Sequence, residues 1–174
     1  MKKLIEKIES HIENSSKGLP EDIFYFVGRL TPYINVDLLV KNDLGQTLLS
    51  WRDETMYDNS VGSGWHIPGG IIRFQEDISN RIREVALHEM GARLLYHSEQ
   101  PLIVNQILDY KAKNRSHFIS LLYKCELEDN YEIDNNSLKE GDIGFLKWHS
   151  GAPKNLLRNH NVYKKYINIA VETS

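Results

Sequence analysis

Residues 64–91, GWHIPGGIIRFQEDISNRIREVALHEMG, decide the fold. Adjacent glycines, Gly69 and Gly70, follow Pro68 and let the backbone turn sharply or approach another group closely. A helix is expected from about Asp77 to Met90. At about 100° per residue, Ile78, Ile82, Val85 and Glu89 fall in one narrow stripe of that helix. A carboxylate in an apolar stripe is anomalous, because a buried Glu is costly unless paired, hydrogen-bonded or coordinating a cation. Periodicity leaves two readings open. Glu89 either ends the helix and accepts backbone hydrogen bonds from a neighbouring loop, or faces a cation.

Upstream, Leu4, Ile5, Ile8 and Ile12 recur at helical spacing over residues 3–14. Pro20, Glu21 and Asp22 suit the start of a second helix, with Ile23, Phe24, Phe26, Val27 and Leu30 as its apolar side. Residues 1–30 therefore read as an N-terminal helical extension and 31–174 as the main domain. Tyr33–Val40 and Gln46–Arg52 are two strands around the turn cluster Lys41–Gly45, and predict a hairpin. The polar stretch Asp53–Gly64 is expected to be a mobile loop. Strands follow at 102–110, 116–127 and 144–149, then a closing helix at 159–171 carrying Val162, Tyr166, Ile167 and Ala170. The pattern is α+β, a curved mixed sheet with helices packed on it.

The whole chain has 174 residues, 41% hydrophobic and 26% charged, which excludes wholesale disorder. Its net charge of -3 argues against a broad polyanion-binding surface, so no nucleic-acid partner is expected. The single cysteine, Cys125, excludes an intrachain disulfide and reads as a core residue of a strand. No stretch approaches the ~20 apolar residues that would cross a bilayer, and no apolar run follows Lys2 and Lys3. A cytoplasmic location without membrane association is the expectation.

Gly70, five residues, Glu76, then Glu89 and Gly91, preceded by Trp65-x-x-Pro68-Gly69-Gly70, resembles the box of the Nudix hydrolase superfamily. The resemblance implies a Nudix-type α/β/α sandwich. Two positions depart from the family pattern. Glu84-Val85 stands where the family has Arg-Glu, and His88-Glu89 where it has Glu-Glu. Val85 thus replaces a metal carboxylate, and His88 is a poor partner for Mg²⁺, which prefers oxygen.

A degraded box that keeps its last Glu resembles the GDP-mannose mannosyl hydrolase branch, which attacks sugar carbon rather than phosphorus. Thr31-Pro32, Val36-Asp37-Leu38, Arg52, Ser116-His117-Phe118, Leu146-Lys147-Trp148 and Asn159-His160-Asn161 are similar to that branch's segments. The resemblance gives Mg²⁺ (or Mn²⁺) to the Gly69 carbonyl and Glu89, and places Asp37, Arg52 and His117 at the substrate. His117 then helps the diphosphate leave. Two arginines of the branch are replaced by Ile71 and Glu84, with Arg73 or Arg81 as possible compensation. The branch's metal-binding amide and general-base His fall on Asp142 and Ile143, so Asp142 is the candidate metal ligand or water activator.

The leading expectation is a Mg²⁺-dependent hydrolase of a GDP-mannose-like nucleoside diphosphate sugar, releasing sugar and nucleoside diphosphate. A Nudix diphosphatase cutting P–O–P, and a nucleotide-binding domain without turnover, are the alternatives. The amphipathic N-terminal helices suggest a homodimer.

Overall fold

The computed structural model describes residues 1–54, 62–112 and 114–169. Most of the expected loop Asp53–Gly64 and the expected helix residue Ala170 lie outside the described residues. In chain order come helices α1 (Lys2–Glu9) and α2 (Glu21–Gly28) and strands β1 (Tyr33–Val40), β2 (Thr47–Arg52), β3 (Gly64–His66) and β4 (Gly69–Ile71). Helix α3 (Ile78–Met90) precedes strands β5 (Leu94–His97), β6 (Ile103–Leu108), β7 (His117–Leu127) and β8 (Leu146–His149). A 3-10 helix (Arg158–Tyr163) and α4 (Lys164–Asn168) close the chain.

β1 is buried on both faces over most of its length, as its aliphatic run implies. β4 pairs with one edge of it antiparallel, and β7 pairs with the other in parallel from Tyr33↔Phe118 to Val40↔Cys125. The far edge of β7 is shared by β6 and β5, both antiparallel, which makes a mixed five-stranded sheet. β2 is the centre of a second, three-stranded sheet between β3 and β8. With both edges of β1 taken, the expected hairpin shrinks to the bridge Lys41↔Thr47, and β1 and β2 diverge into different sheets. The Lys41 ammonium fastens that corner, donating to Thr47 Oγ1 at 2.8 Å and to the Ile167 carbonyl at 3.0 Å.

Side chains alternate across the strands and build two cores. Val36, Leu38, Val40, Leu48 and Cys125 meet Ile82, Val85, Ala86 and Met90 of α3. Leu39, Leu49, Trp65, Ile67 and Leu122 meet Leu156, Tyr163 and Ile167 at the C-terminal end. The result is the helix–sheet–helix sandwich expected from the sequence. Burial pushes the Cys125 thiol up to about 12, as suits a core residue.

Several elements differ from the sequence reading. α1 ends at Glu9 and buries none of its residues. The Pro-Gly-Gly turn separates two short strands, β3 and β4, and β5 was not anticipated. The closing helix divides into the 3-10 helix and α4, because Tyr163 turns inward to the second core. α2 is tied to the sheet: Phe24 stacks on Tyr33 at 4.6 Å, and the Tyr33 hydroxyl donates to the Phe24 carbonyl at 2.7 Å. Among the described residues no helix is long and apolar enough to cross a membrane.

α3 is the element that positions the site. Asp77 caps its start, accepting from the Asn80 N–H at 3.2 Å. Gly91, in the left-handed region at φ 62°, ends it and lets Ala92 N–H reach the Ala86 carbonyl. The turn before the helix is held by Glu76, whose two oxygens bind Arg81 Nε at 2.8 Å and Nη2 at 2.7 Å. Burial pushes the Glu76 carboxyl up, but its bonds from Arg81 and the Arg73 N–H outweigh that and lower its pKa. Both side chains are under 10% exposed (9% for Arg81, 8% for Glu76). Glu76→Gln should therefore destabilise the fold by roughly 2–4 kcal/mol in urea titration, because it strands the Arg81 cation.

Candidate functional site

One face of β2 presents Leu48, Ser50 and Arg52, and the β2–β3 register sets His66 directly across from Ser50. Past Leu48, which enters the first core, the strands leave that core, and Ser50, Arg52 and His66 become the floor of a cleft of about 450 Å³. The C-terminal turn of α3 forms one wall with Leu87 and Glu89. The segment between β7 and β8 forms the other with Glu132 and Asp134.

Glu89 enters this cleft from the apolar stripe of α3. Burial raises its pKa, against the pull of Arg52 and then His88. Among the described residues no loop donates a hydrogen bond to its carboxylate, so the helix-ending reading is not realised. Val85, one turn earlier, is 3% exposed and packs in the first core. His88 is exposed and paired with Glu84 at 3.1 Å. No group of three His, Cys, Asp or Glu residues that could hold a metal occurs among the described residues. A donor set of this kind fits a hydrated Mg²⁺ that takes one protein carboxylate and shares its remaining positions between water and ligand phosphates. A carboxylate whose ionised form is disfavoured by burial is what such a cation would stabilise.

The other candidates are distributed as follows. Gly69 pairs with Asp37 across β1–β4, and a Cβ on Gly69 would fall 2.2 Å from Asp37 Oδ1. Asp37 itself is 3% exposed and is engaged by Ser120, by the Tyr163 hydroxyl at 2.6 Å and by Asn35 Nδ2 at 3.1 Å. Burial pushes its carboxyl up to about 6 despite those bonds. Arg73 is exposed, and Arg81 is committed to Glu76. His117 stands at the head of β7 beside Gln106 at 3.0 Å. Asp142 closes its own turn, accepting the Lys139 N–H at 2.7 Å. The structure thus brings Arg52 and Glu89 together, and Asp37, Gly69, Arg73, Arg81, His117 and Asp142 stand outside the cleft lining.

Sequence reasoning missed four cleft residues: Ser50, His66, Glu132 and Asp134. Period-2 alternation along β2 joins Ser50 to Arg52, which was a usable signal. His66 needed the strand register. It is 3% exposed, and among the described residues neither ring nitrogen meets a hydrogen-bond partner and Ser50 Oγ is also unpaired. Each such buried orphan costs about 1–3 kcal/mol. Burial first, then Arg52 and His160, hold His66 neutral with a pKa well below the usual range. The Ser50 carbonyl opposes this but stands outside hydrogen-bond geometry.

His160 lies edge-on to His66 at 5.6 Å and accepts the Ile67 N–H on Nδ1 at 3.4 Å. Burial, assisted by Arg52, pushes it down to about 3. A histidine whose pKa is depressed on folding stabilises the fold above its unfolded value near 6.5 and loses that contribution as pH falls. Each of these two histidines should cost about 1.4 kcal/mol per pH unit below 6.5. Urea denaturation from pH 7 to pH 5 should show this loss, partly offset below about pH 6 where the raised Asp37 carboxyl takes up a proton in the folded state, and His160→Phe should reduce the loss by about 1.4 kcal/mol per pH unit.

No family model matches the chain. The low-salt glycan biosynthesis protein Agl8 of Haloferax volcanii is 24% identical to it over 120 residues, which is 67% of this chain and 73% of that protein. A MutT Nudix hydrolase from Burkholderia pseudomallei superposes with a TM-score of 0.59 at 17% identity, covering 78% of this chain and 97% of that one. A Nudix-family hydrolase from Clostridium perfringens gives 0.55 at 14% identity, over 79% and 97% of the two chains. A UDP-X diphosphatase gives 0.55 at 16% identity, over 95% of this chain and 74% of that one. Strand order, the placement of α3 and these superpositions agree: the chain has the Nudix hydrolase fold.

Proposed function

We propose that the chain is a Mg²⁺-dependent Nudix hydrolase whose substrate is a nucleoside diphosphate sugar. The observation that carries this reading is the cleft in which Arg52 faces Glu89 while the neighbouring box position is the buried Val85. Arg52 supplies a fixed guanidinium for diphosphate oxygens, placed before any charge develops. Glu89 would hold the cation. When bound, Mg²⁺ or Mn²⁺ neutralises charge on the diphosphate. One helix carboxylate is enough for that task if the diphosphate departs whole. This supports attack by water at the anomeric carbon: a C–O bond breaks, and sugar and nucleoside diphosphate are released.

A second reading, attack at phosphorus to give nucleoside monophosphate and sugar phosphate, is favoured by a specific observation. His117 and Asp142, the groups expected to serve carbon attack, stand outside the cleft lining. The structural likeness to a UDP-X diphosphatase supports the same alternative. The glycan-biosynthesis protein from Haloferax volcanii supports a sugar-linked substrate under either reading.

Incubation with GDP-mannose or UDP-glucose and Mg²⁺ should yield product, and chelation should stop it. Oxygen-18 from water should appear in the free sugar for carbon attack and in a phosphate for phosphorus attack. Glu89→Gln and Arg52→Ala should each lower kcat/KM by about 100-fold or more while the protein stays folded. Ligand binding without product from any nucleotide sugar would leave a nucleotide-binding domain instead.

A further inference from the structure

The segment that follows β7 alternates in exposure. Tyr131, Ile133 and Asn135 turn inward, while Glu132, Asp134 and Asn136 turn outward into the cleft. Both ends of the inward row are fastened to the walls of the site. The Tyr131 hydroxyl donates to the Met90 carbonyl at 2.9 Å, beside Glu89. Asn135 grips the start of β8 in both senses, donating to the Leu146 carbonyl at 3.0 Å and accepting its N–H at 2.8 Å. Two carboxylates are thereby held against the cleft, no more than about 7 Å of chain apart. Neither has an ion-pair partner among the described residues. Asp134 also accepts the Asn136 N–H at 2.8 Å.

A second, independent feature of the same cleft points to a ligand. His66 and Ser50 are 3% and 1% exposed, line it, and carry polar side-chain atoms with no partner among the described residues. Natively folded chains pair nearly all such atoms. From these observations we infer that Glu132 and Asp134 form the wall that receives the sugar of the substrate, and that they select an uncharged, hydroxyl-rich ring over one bearing a carboxylate. This rests on the reading of the chain as a nucleotide-sugar hydrolase.

The charge layout supports the assignment. Among the described residues Arg52 is the one Arg or Lys lining the cleft, and the carboxylates of Glu89, Glu132 and Asp134 line it too. The anionic part of a ligand is thus confined to the Arg52 end, and a second anion farther along meets like charge. Carboxylates are strong acceptors for hydroxyl donors, and Leu138 and Ile143 offer the aliphatic surface that suits a pyranose face. Trp51, the aromatic side chain lining the cleft among the described residues, is packed T-shaped against Trp65 at 5.2 Å.

The test compares wild type, Glu132→Gln and Asp134→Asn on UDP-glucose, GDP-mannose and UDP-glucuronate by initial rates, with UDP and GDP binding measured by calorimetry. Both positions are exposed, so the variants should melt like wild type. Wild type should prefer the neutral sugars by about 10-fold or more, and each variant should lose about 10-fold on them, through KM. UDP-glucuronate should be spared, so the preference narrows, and affinity for UDP and GDP should not change. An equal loss for UDP or GDP alone would overturn the inference, since the wall would then read base or phosphate. An altered Mg²⁺ requirement, or an unchanged preference, would overturn it too. If wild type neither cleaves nor binds any nucleotide sugar, the hydrolase reading falls and takes this inference with it. If wild type turns over but the variants keep its preference, this inference alone falls.

Discussion

The approach of α3 to β4 is the constraint on which the site depends. A Cβ on Gly70 would stand 2.7 Å from Val85 Cγ2, so the helix can seat on the sheet only where the strand has no side chain. That contact fixes the helical phase. With Val85 and Ile82 turned down into the first core, Glu89, one turn beyond Val85, emerges at the cleft. Val85 is thereby committed to the first core. A carboxylate there would be pressed against backbone inside an apolar core, where its ionised form is strongly disfavoured. Glu76 and Arg81 hold the other end of the helix, and Gly91 terminates it beside the cleft mouth.

Arg52 organises the charges around this frame. Its field lowers the pKa of Asp37, Glu89, His66 and His160 alike, although these groups belong to four different elements. For the carboxylates that pull opposes desolvation, whereas for the histidines it adds to desolvation. The outcome is an uneven distribution of charge. The histidines near Arg52 are kept neutral, Asp37 is satisfied by its own hydroxyl and amide neighbours, and Arg52 and Glu89 carry opposite charge into the cleft.

Periodicity made the long elements legible. α3 was expected from Asp77 to Met90 and runs Ile78–Met90, and β6 and β7 fall inside their expected spans. β3 and β4 have three residues each, too few to show alternation, so they read as a turn. The predicted hairpin failed because strand pairing is decided by which edges are free, and β4 and β7 occupy both edges of β1. Of the site, Glu89 was visible through spacing and Arg52 through the family resemblance. Arg81 looked available as a phosphate ligand, since nothing in a linear reading shows that Glu76 folds back onto it. His66, Glu132 and Asp134 become neighbours of Glu89 only through the pairing of β3 with β2 and the anchoring of the 131–136 segment.

The fastening of Lys41 bears on how the chain matures. Its ammonium, lowered in pKa by burial, reaches a carbonyl 126 residues away near the end of α4. β1 likewise finds its parallel neighbour only when residues 117–127 are present. Contacts of such long sequence separation form slowly, because the loop-closure entropy is lost before any packing is gained. During translation the early strands therefore lack their full set of partners until α4 has been made, and until then apolar faces of β1 stay uncovered.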